Sequence, residues 1–221
     1  MIVLEARELY RFYHSGDEEV KALRGVSVQI EVGEMVAFIG PSGSGKSTLL
    51  MCLAGLDEPD GGEVIVAGER MTRHEEQFKT SLRSRSMGIM LQSNNLFAHL
   101  NITQNVHLAQ TTLGNVDAAW VKTTIEQLGI ASRAHALPAE LSGGERARAA
   151  LAVALARKPK ILILDEPTGE VDAAAEIVIL DMLQQHCKQG GAVVVATHNQ
   201  ALAKNASRIM PIKDGKFMDG K

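Results

Sequence analysis

The run Gly40-Pro41-Ser42-Gly43-Ser44-Gly45-Lys46-Ser47 has the residue types and spacing of a loop that grips phosphate. Its glycines allow successive backbone amides to turn inward around phosphate oxygens, and the positive end of a following helix adds to their field. Lys46 is spaced to reach the β- and γ-phosphates of a nucleotide, Ser47 offers a hydroxyl to Mg²⁺, and Thr48 continues the run. A glycine-rich turn with an exposed lysine is the plain alternative, and context decides against it. The second constellation is Ile161-Leu162-Ile163-Leu164-Asp165-Glu166, an apolar run that ends on two carboxylates. At the C-terminal edge of a parallel sheet, where ligands of open α/β folds bind, Asp165 would hold Mg²⁺ through its water shell. Glu166 would orient and deprotonate an attacking water, a role worth about 10²–10⁴ in rate.

Such groups need strands and helices to hold them. Met35-Val36-Ala37-Phe38-Ile39 reads as a buried strand running into the glycine-rich loop, and Lys46 to Ala54 reads as the helix that follows. Alternating segments at Ile2 to Leu4 and Val26 to Ile30 predict half-buried strands joined by a polar hairpin through Ser15-Gly16-Asp17. Further strands are expected over Glu63 to Val66 and Met87 to Leu91. From Gln92 to about Lys158 the spacing turns helical, with Val116, Trp120, Ile125 and Leu128 on the apolar side. Strands return at Ile161 to Leu164 and Ala192 to Ala196, separated by a helix with Ile177, Leu180, Leu183 and Cys187 assigned to one face. Arg208 to Met218 reads as a hairpin turning at Asp214-Gly215.

The chain has 221 residues, 45% of them hydrophobic and 22% charged, which suits one globular unit with no disulfide framework. A net charge of -3 supplies no general basic field, so nucleic acid is not expected as a partner. Cys52 and Cys187 lack metal-site spacing and read as core thiols in a reducing compartment. No secretion signal opens the chain, and no stretch approaches the about 20 apolar residues that cross a bilayer. A role at a membrane would require a partner to hold the protein there.

Leu141-Ser142-Gly143-Gly144-Glu145, shortly before Asp165-Glu166, narrows the class. A serine and two glycine amides at a helix start form a second anion-binding cap, although Ser142 with Glu145 is equally an ordinary helix cap. This run resembles the signature motif of ABC ATPases, and the resemblance extends over nearly the whole chain. It implies an α/β phosphate-loop NTPase with a RecA-like parallel-sheet core, an N-terminal antiparallel β subdomain and an inserted α-helical subdomain. The implied division gives 1–91 and 159–221 to the core and 92–158 to the helical part. In the family, two subunits pair head to tail, so that Ser142, Gly143 and Gly144 of one would close over ATP held by Lys46 of the other. Gln92 is similar to the Q-loop glutamine that touches Mg²⁺ or water and relays the site's state. His198 is similar to the switch histidine at the γ-phosphate, Asp172 to the D-loop aspartate at the dimer seam, and Tyr13 to the aromatic that stacks on adenine, with Phe12 and Tyr10 as neighbouring candidates.

The group that serves lipoprotein release, macrolide export and cell division is the most similar within the family. The resemblance implies an ATPase using ATP and Mg²⁺, paired with a copy or paralogue, and bound to an integral-membrane permease at the cytoplasmic face. Phe97, Ala98 and Leu100 lie where such partners dock, while Arg83 and Arg85 read as a solvated face. Two departures stand out: Glu170-Val171-Asp172 replaces the usual Asn-Leu-Asp, and Val153 replaces an arginine, removing a polar contact. A regulator that turns over ATP without moving a substrate carries the same motifs. A soluble ABC protein acting on nucleic acid fits less well, because the chain has one phosphate loop and no heptads.

Overall fold

Strands that must be covered on both faces need apolar residues at every position, and three segments of this chain supply them. The computed structural model describes residues 1–15, 18–92, 95–111, 114, 116–169 and 171–218. It opens with β1 (Ile2–Ser15) paired antiparallel with β2 (Glu18–Glu31), followed by β3 (Met35–Ile39) and α1 (Lys46–Leu53). Then come β4 (Gly61–Val66), β5 (Glu69–Arg70), α2 (Glu76–Ser86) and β6 (Met87–Met90). Three helices follow, α3 (Ile102–Thr111), α4 (Ala118–Gln127) and α5 (Gly143–Leu155), before β7 (Ile161–Asp165). The chain continues through α6 (Ala173–Lys188), β8 (Ala192–Ala196), α7 (Gln200–Lys204), β9 (Arg208–Lys213) and β10 (Lys216–Phe217).

One sheet is antiparallel, in the order β2-β1-β4-β5. The other runs β10-β9-β3-β8-β7-β6 and is parallel from β9 to β6, with β10 turning back at its edge. Alternate residues of its central strands feed two separate cores. Met35 and Ala37, Leu162 and Leu164, and Val193 and Val195 pack with the helices on one side. Val36 and Phe38, Ile161 and Ile163, and Val194 face α1 and the antiparallel sheet on the other. At about 25 cal/mol per Å² of apolar surface, this double burial fixes the register, because a slip by one residue would exchange the two faces.

Several local expectations need correction. The first two strands are far longer than their short alternating patches, since β1 bends through shifts of register near Glu8, where φ is +48°. Gly16 and Asp17, assigned to the connecting turn, lie outside the described residues, as does Glu170. The helix α2 had no apolar period to announce it; Leu82 is its buried hydrophobic residue, and Glu76 pairs with Lys79 and Arg83 along it. On α6 the buried residues are Ala175, Ile179, Met182 and Leu183, and Leu180 and Cys187 pack partly buried against the same core, whereas Ile177, assigned to that face, is 60% exposed. Val116 is likewise exposed, ahead of α4. The C-terminal hairpin turns at Asp214-Gly215 with φ of +48° and +73°, as its turn pair requires.

Candidate functional site

The phosphate-type loop leaves the C-terminal end of β3 and enters α1, and the fold presses on it from two sides. Gly215 N donates to Ser44 O at 3.1 Å, tying the C-terminal hairpin to the loop. A Cβ on Gly40 would stand 2.2 Å from Ile212 O of β9, and one on Gly45, where φ is +103°, would stand 2.4 Å from Ala22 O of β2. Both positions therefore exclude a side chain. Lys46 Nζ donates to Gly40 O and Pro41 O, each at 2.9 Å, so the ammonium sits inside the curve of the loop. Ser44 Oγ is buried without a hydrogen-bond partner, a polar atom that a ligand in the loop would satisfy.

Asp165 ends β7 with its side chain buried. Burial pushes its pKa above the ordinary aspartate value, against the opposing hydrogen bond from Ser47 and the charge of Lys46, while Glu166 adds to the rise. A buried carboxylate beside a hydroxyl and short of counter-charge suits a hard cation. Among the described residues no group of three or more His, Cys, Asp or Glu side chains could hold a metal; the set here is one carboxylate with Ser47 and Gln92.

Glu166 adopts φ +49°, unusual for a residue with a side chain, while its amide donates to Ala196 O at 2.9 Å. That bend aims its carboxylate at the end of β8. Glu166 Oε2 accepts from Thr197 Oγ1 at 3.1 Å, and Oε1 accepts from His198 N at 3.1 Å and lies 2.9 Å from His198 Nδ1. Thr197 is fully buried, and its Oγ1 also accepts from Asn199 N at 2.9 Å. Asn199 in turn caps α7 and donates to Glu176 and Thr168. Sequence reasoning passed over Thr197, whose only signal was a polar residue closing an apolar strand.

Tyr13 is partly exposed at the edge of β1. Its phenol donates to Asp57 Oδ2 at 2.6 Å, and the Arg11 guanidinium stands 4.6 Å from its ring centroid. Burial, then the Asp57 bond, raises the phenol's pKa, so it stays a donor. For Arg11, burial opposes the charge, but hydrogen bonds with Asp57, Tyr13 and Asp60 outweigh it and hold the pKa above the ordinary value.

One cavity of about 750 Å³ joins these groups: Tyr13, the loop Gly40, Pro41, Ser42, Gly43 and Gly45 with Lys46, Ser47 and Thr48, then Gln92, Asp165, Glu166 and His198. Lys21, Ala22, Arg24 and Asp214 also line it, none of them singled out by sequence motif. A second cavity of about 470 Å³, between Trp120 on α4 and His186 on α6, contains none of the motif residues.

Ser142, Gly143, Gly144 and Asp172 are absent from the lining of the 750 Å³ cavity. Ser142 caps α5 by accepting from Glu145 N at 3.2 Å, and Glu145 Oε2 accepts from Ser142 N at 2.9 Å. Asp172 caps α6 by accepting from Ala175 N at 2.7 Å, and its carboxylate would be 3.6 Å from a Cβ on Gly144. The two helix starts thus form a neighbouring surface, with Ser142 exposed. Val153 packs half-buried against the helical core. Phe97 is 54% exposed on a loop knitted by Asn105, which bonds Phe97, Leu100 and Asn101. Arg83 bonds Gly55 O and Glu76, and Arg85 bonds Glu69, so neither offers a free cation.

Comparison with known proteins gives a consistent result. A family model described as ABC transporter matches residues 23–169. The lipoprotein-releasing system ATP-binding protein LolD 2 of Caulobacter vibrioides is 39% identical over 217 residues, covering 96% of this chain and 95% of that protein. The macrolide export ATP-binding/permease protein MacB of Photorhabdus laumondii is 38% identical over 219 residues, and there the chain spans about a third, 34%, of the relative. Among solved structures, the dimeric structure of a bacterial ABC transporter cassette superposes with a TM-score of 0.92 at 31% identity, covering 97% of this chain and 96% of the other. A post-hydrolysis dimer of an ATP-binding cassette, bound to ADP and Pi, gives 0.93 at 30% identity, covering 99% and 97%.

Proposed function

The chain belongs to the ABC transporter family as one of its ATP-binding, ATP-hydrolysing members, and we propose that it drives a membrane permease by closing as a dimer around two ATP molecules. The observation that carries this reading is the split site. The residues assigned to nucleotide, metal and water converge on one cavity, while the Ser142 cap lies outside its lining, with Asp172 near its Gly144. A second subunit in head-to-tail arrangement would bring that cap over the phosphates.

In this scheme Tyr13 receives the base, the loop amides and Lys46 receive the phosphates, and Ser47, Asp165 and Gln92 hold Mg²⁺. The ion when bound supplies charge neutralisation at the phosphate oxygens. Glu166 accepts a proton from the attacking water, whose oxygen bonds the γ-phosphorus as the bond to the β-phosphate bridging oxygen breaks, giving ADP and phosphate. Thr197 and His198 fix the two carboxylate oxygens of Glu166, and His198 can exchange that contact for the γ-phosphate. Lys46 balances the charge that develops. Gln92, between β6 and the exposed Phe97 loop, connects the site to the permease surface, with 92–158 as the moving helical part. To swing a dimer from 1:99 to 99:1 closed, ATP must favour the closed form by about 5.5 kcal/mol.

Among the described residues no helix is long and apolar enough to cross a membrane. Attachment at the cytoplasmic face is assigned to a permease partner; the name of the MacB relative joins an ATP-binding and a permease part. The test uses Glu166→Gln protein, which should bind MgATP without consuming it. Light scattering is expected to show a dimer in MgATP and a monomer without it; a monomer at saturating MgATP would remove the central support of the scheme.

A further inference from the structure

Tyr13 is held by more contacts than a surface aromatic needs. Arg11 grips both oxygens of Asp57, through Nε at 2.9 Å and Nη2 at 2.8 Å, and reaches Asp60 through Nη1 at 3.2 Å. Asp60 straddles the strand on either side of Arg11, its carboxylate accepting from Phe12 N at 2.7 Å and its amide donating to Tyr10 O at 2.9 Å. Asp57 N donates to Met51 O in α1, the helix that starts at Lys46, so the phenol's bond to Asp57 ties Tyr13 to that helix. Arg11 covers the Tyr13 ring from one side, and the cavity meets Tyr13 but not Arg11.

We propose that Arg11 and Asp57 are positioning residues for base recognition, holding Tyr13 as a preformed stacking platform at a fixed offset from the phosphate loop. The inference rests on the reading of Tyr13 as the residue that meets the nucleobase. Two physical effects follow from the arrangement. The ring is ordered before the base arrives, so binding does not have to immobilise it. A planar guanidinium on one face draws π density from the other, which favours an electron-rich purine there. Lysine cannot replace Arg11 in this role, because a point charge neither stacks nor forks onto Asp57.

The experiment measures, by calorimetry on the full chain, binding of MgATP and of inorganic tripolyphosphate, which has phosphates and no base. Arg11→Lys and Tyr13→Ala are each expected to weaken ATP about tenfold, the scale of a lost base–aromatic stack, and to leave tripolyphosphate unchanged. Arg11→Lys should have no added effect on ATP affinity in the Tyr13→Ala background, because the brace acts only through the ring. If Tyr13→Ala weakens ATP and Arg11→Lys does not, the brace is refuted while the stacking reading stands. If Tyr13→Ala leaves ATP binding intact, the stacking reading itself fails. Equal weakening of ATP and tripolyphosphate by Arg11→Lys would assign Arg11 a general structural role and overturn the proposal. Should Arg11→Lys not fold, Tyr13→Phe, which removes only the phenol tether, is expected to lower ATP affinity about threefold; an unchanged affinity would count against the brace.

Discussion

Glu166 is usable as a base only if its carboxylate is held in one place, and that hold comes from the residues that close β8. Thr197 is the buried member of the grip, donating to Oε2 at 3.1 Å. Thr197→Val keeps the shape and removes the hydroxyl, so kcat for ATP should fall about tenfold, the worth of one hydrogen bond to a charged group, with KM little changed. Steady-state ATPase kinetics check this, and an unaltered kcat would show that Glu166 needs no such support. Asp165 makes a different prediction, because burial raises its pKa in the fold above the ordinary 3.8. The native state then binds the proton more tightly than the unfolded chain, so ionisation opposes folding. The penalty is absent below 3.8 and complete above the raised native value, which means stability falls as pH rises through that window. Asp165→Asn without nucleotide or metal is therefore expected to melt a few degrees higher at pH 7, with the gain shrinking in acid. A lower melting temperature at pH 7 would indicate that the Ser47 hydrogen bond outweighs burial.

Among the elements, those that carry the site were the ones written most clearly in the sequence. The strands β3, β7 and β8 are buried on both faces, so their apolar runs are unbroken, and the groups of the candidate site stand where each run stops, at Gly40, Asp165 and Thr197. Elements with weaker burial were less legible. The helix α2 is held by ion pairs along a polar sequence, and β1 carries a kink that interrupts its alternation. Ile177 misled because a helix exposes some apolar side chains, and only packing decides which. The motifs also gave no sign that β2 and the C-terminal hairpin brace the phosphate loop, because backbone atoms make those contacts, through Ala22 O, Ile212 O and Gly215 N. Gly40→Ala tests the brace: its Cβ would meet Ile212 O at 2.2 Å, so β9 or the loop must move. A loss of about 1–3 kcal/mol in stability is expected from such overpacking, together with weaker ATP binding. Denaturant melts and nucleotide titration read both, and a variant that binds ATP normally would show the loop to be independent of the hairpin.

For the whole molecule, the separation between the cavity and the Ser142 cap turns into a statement about stoichiometry. A site built from Lys46 of one subunit and Ser142 of the other can be spoiled from either side, so Lys46→Ala and Ser142→Arg should each abolish turnover alone. Mixing them distinguishes a shared site from a private one. In a heterodimer one site combines the damaged loop with the damaged cap, and the other combines an intact Lys46 with an intact Ser142. Random pairing of equal amounts makes half the dimers mixed, each with one sound site in two, so about a quarter of wild-type ATPase activity should return under two-fold symmetry. Two inactive proteins regaining activity on mixing cannot be explained by defects within separate monomers. If the mixture stays silent while mixed dimers are present by cross-linking, the cap at Ser142 does not act on the partner's nucleotide, and its capping box with Glu145 is then its whole role.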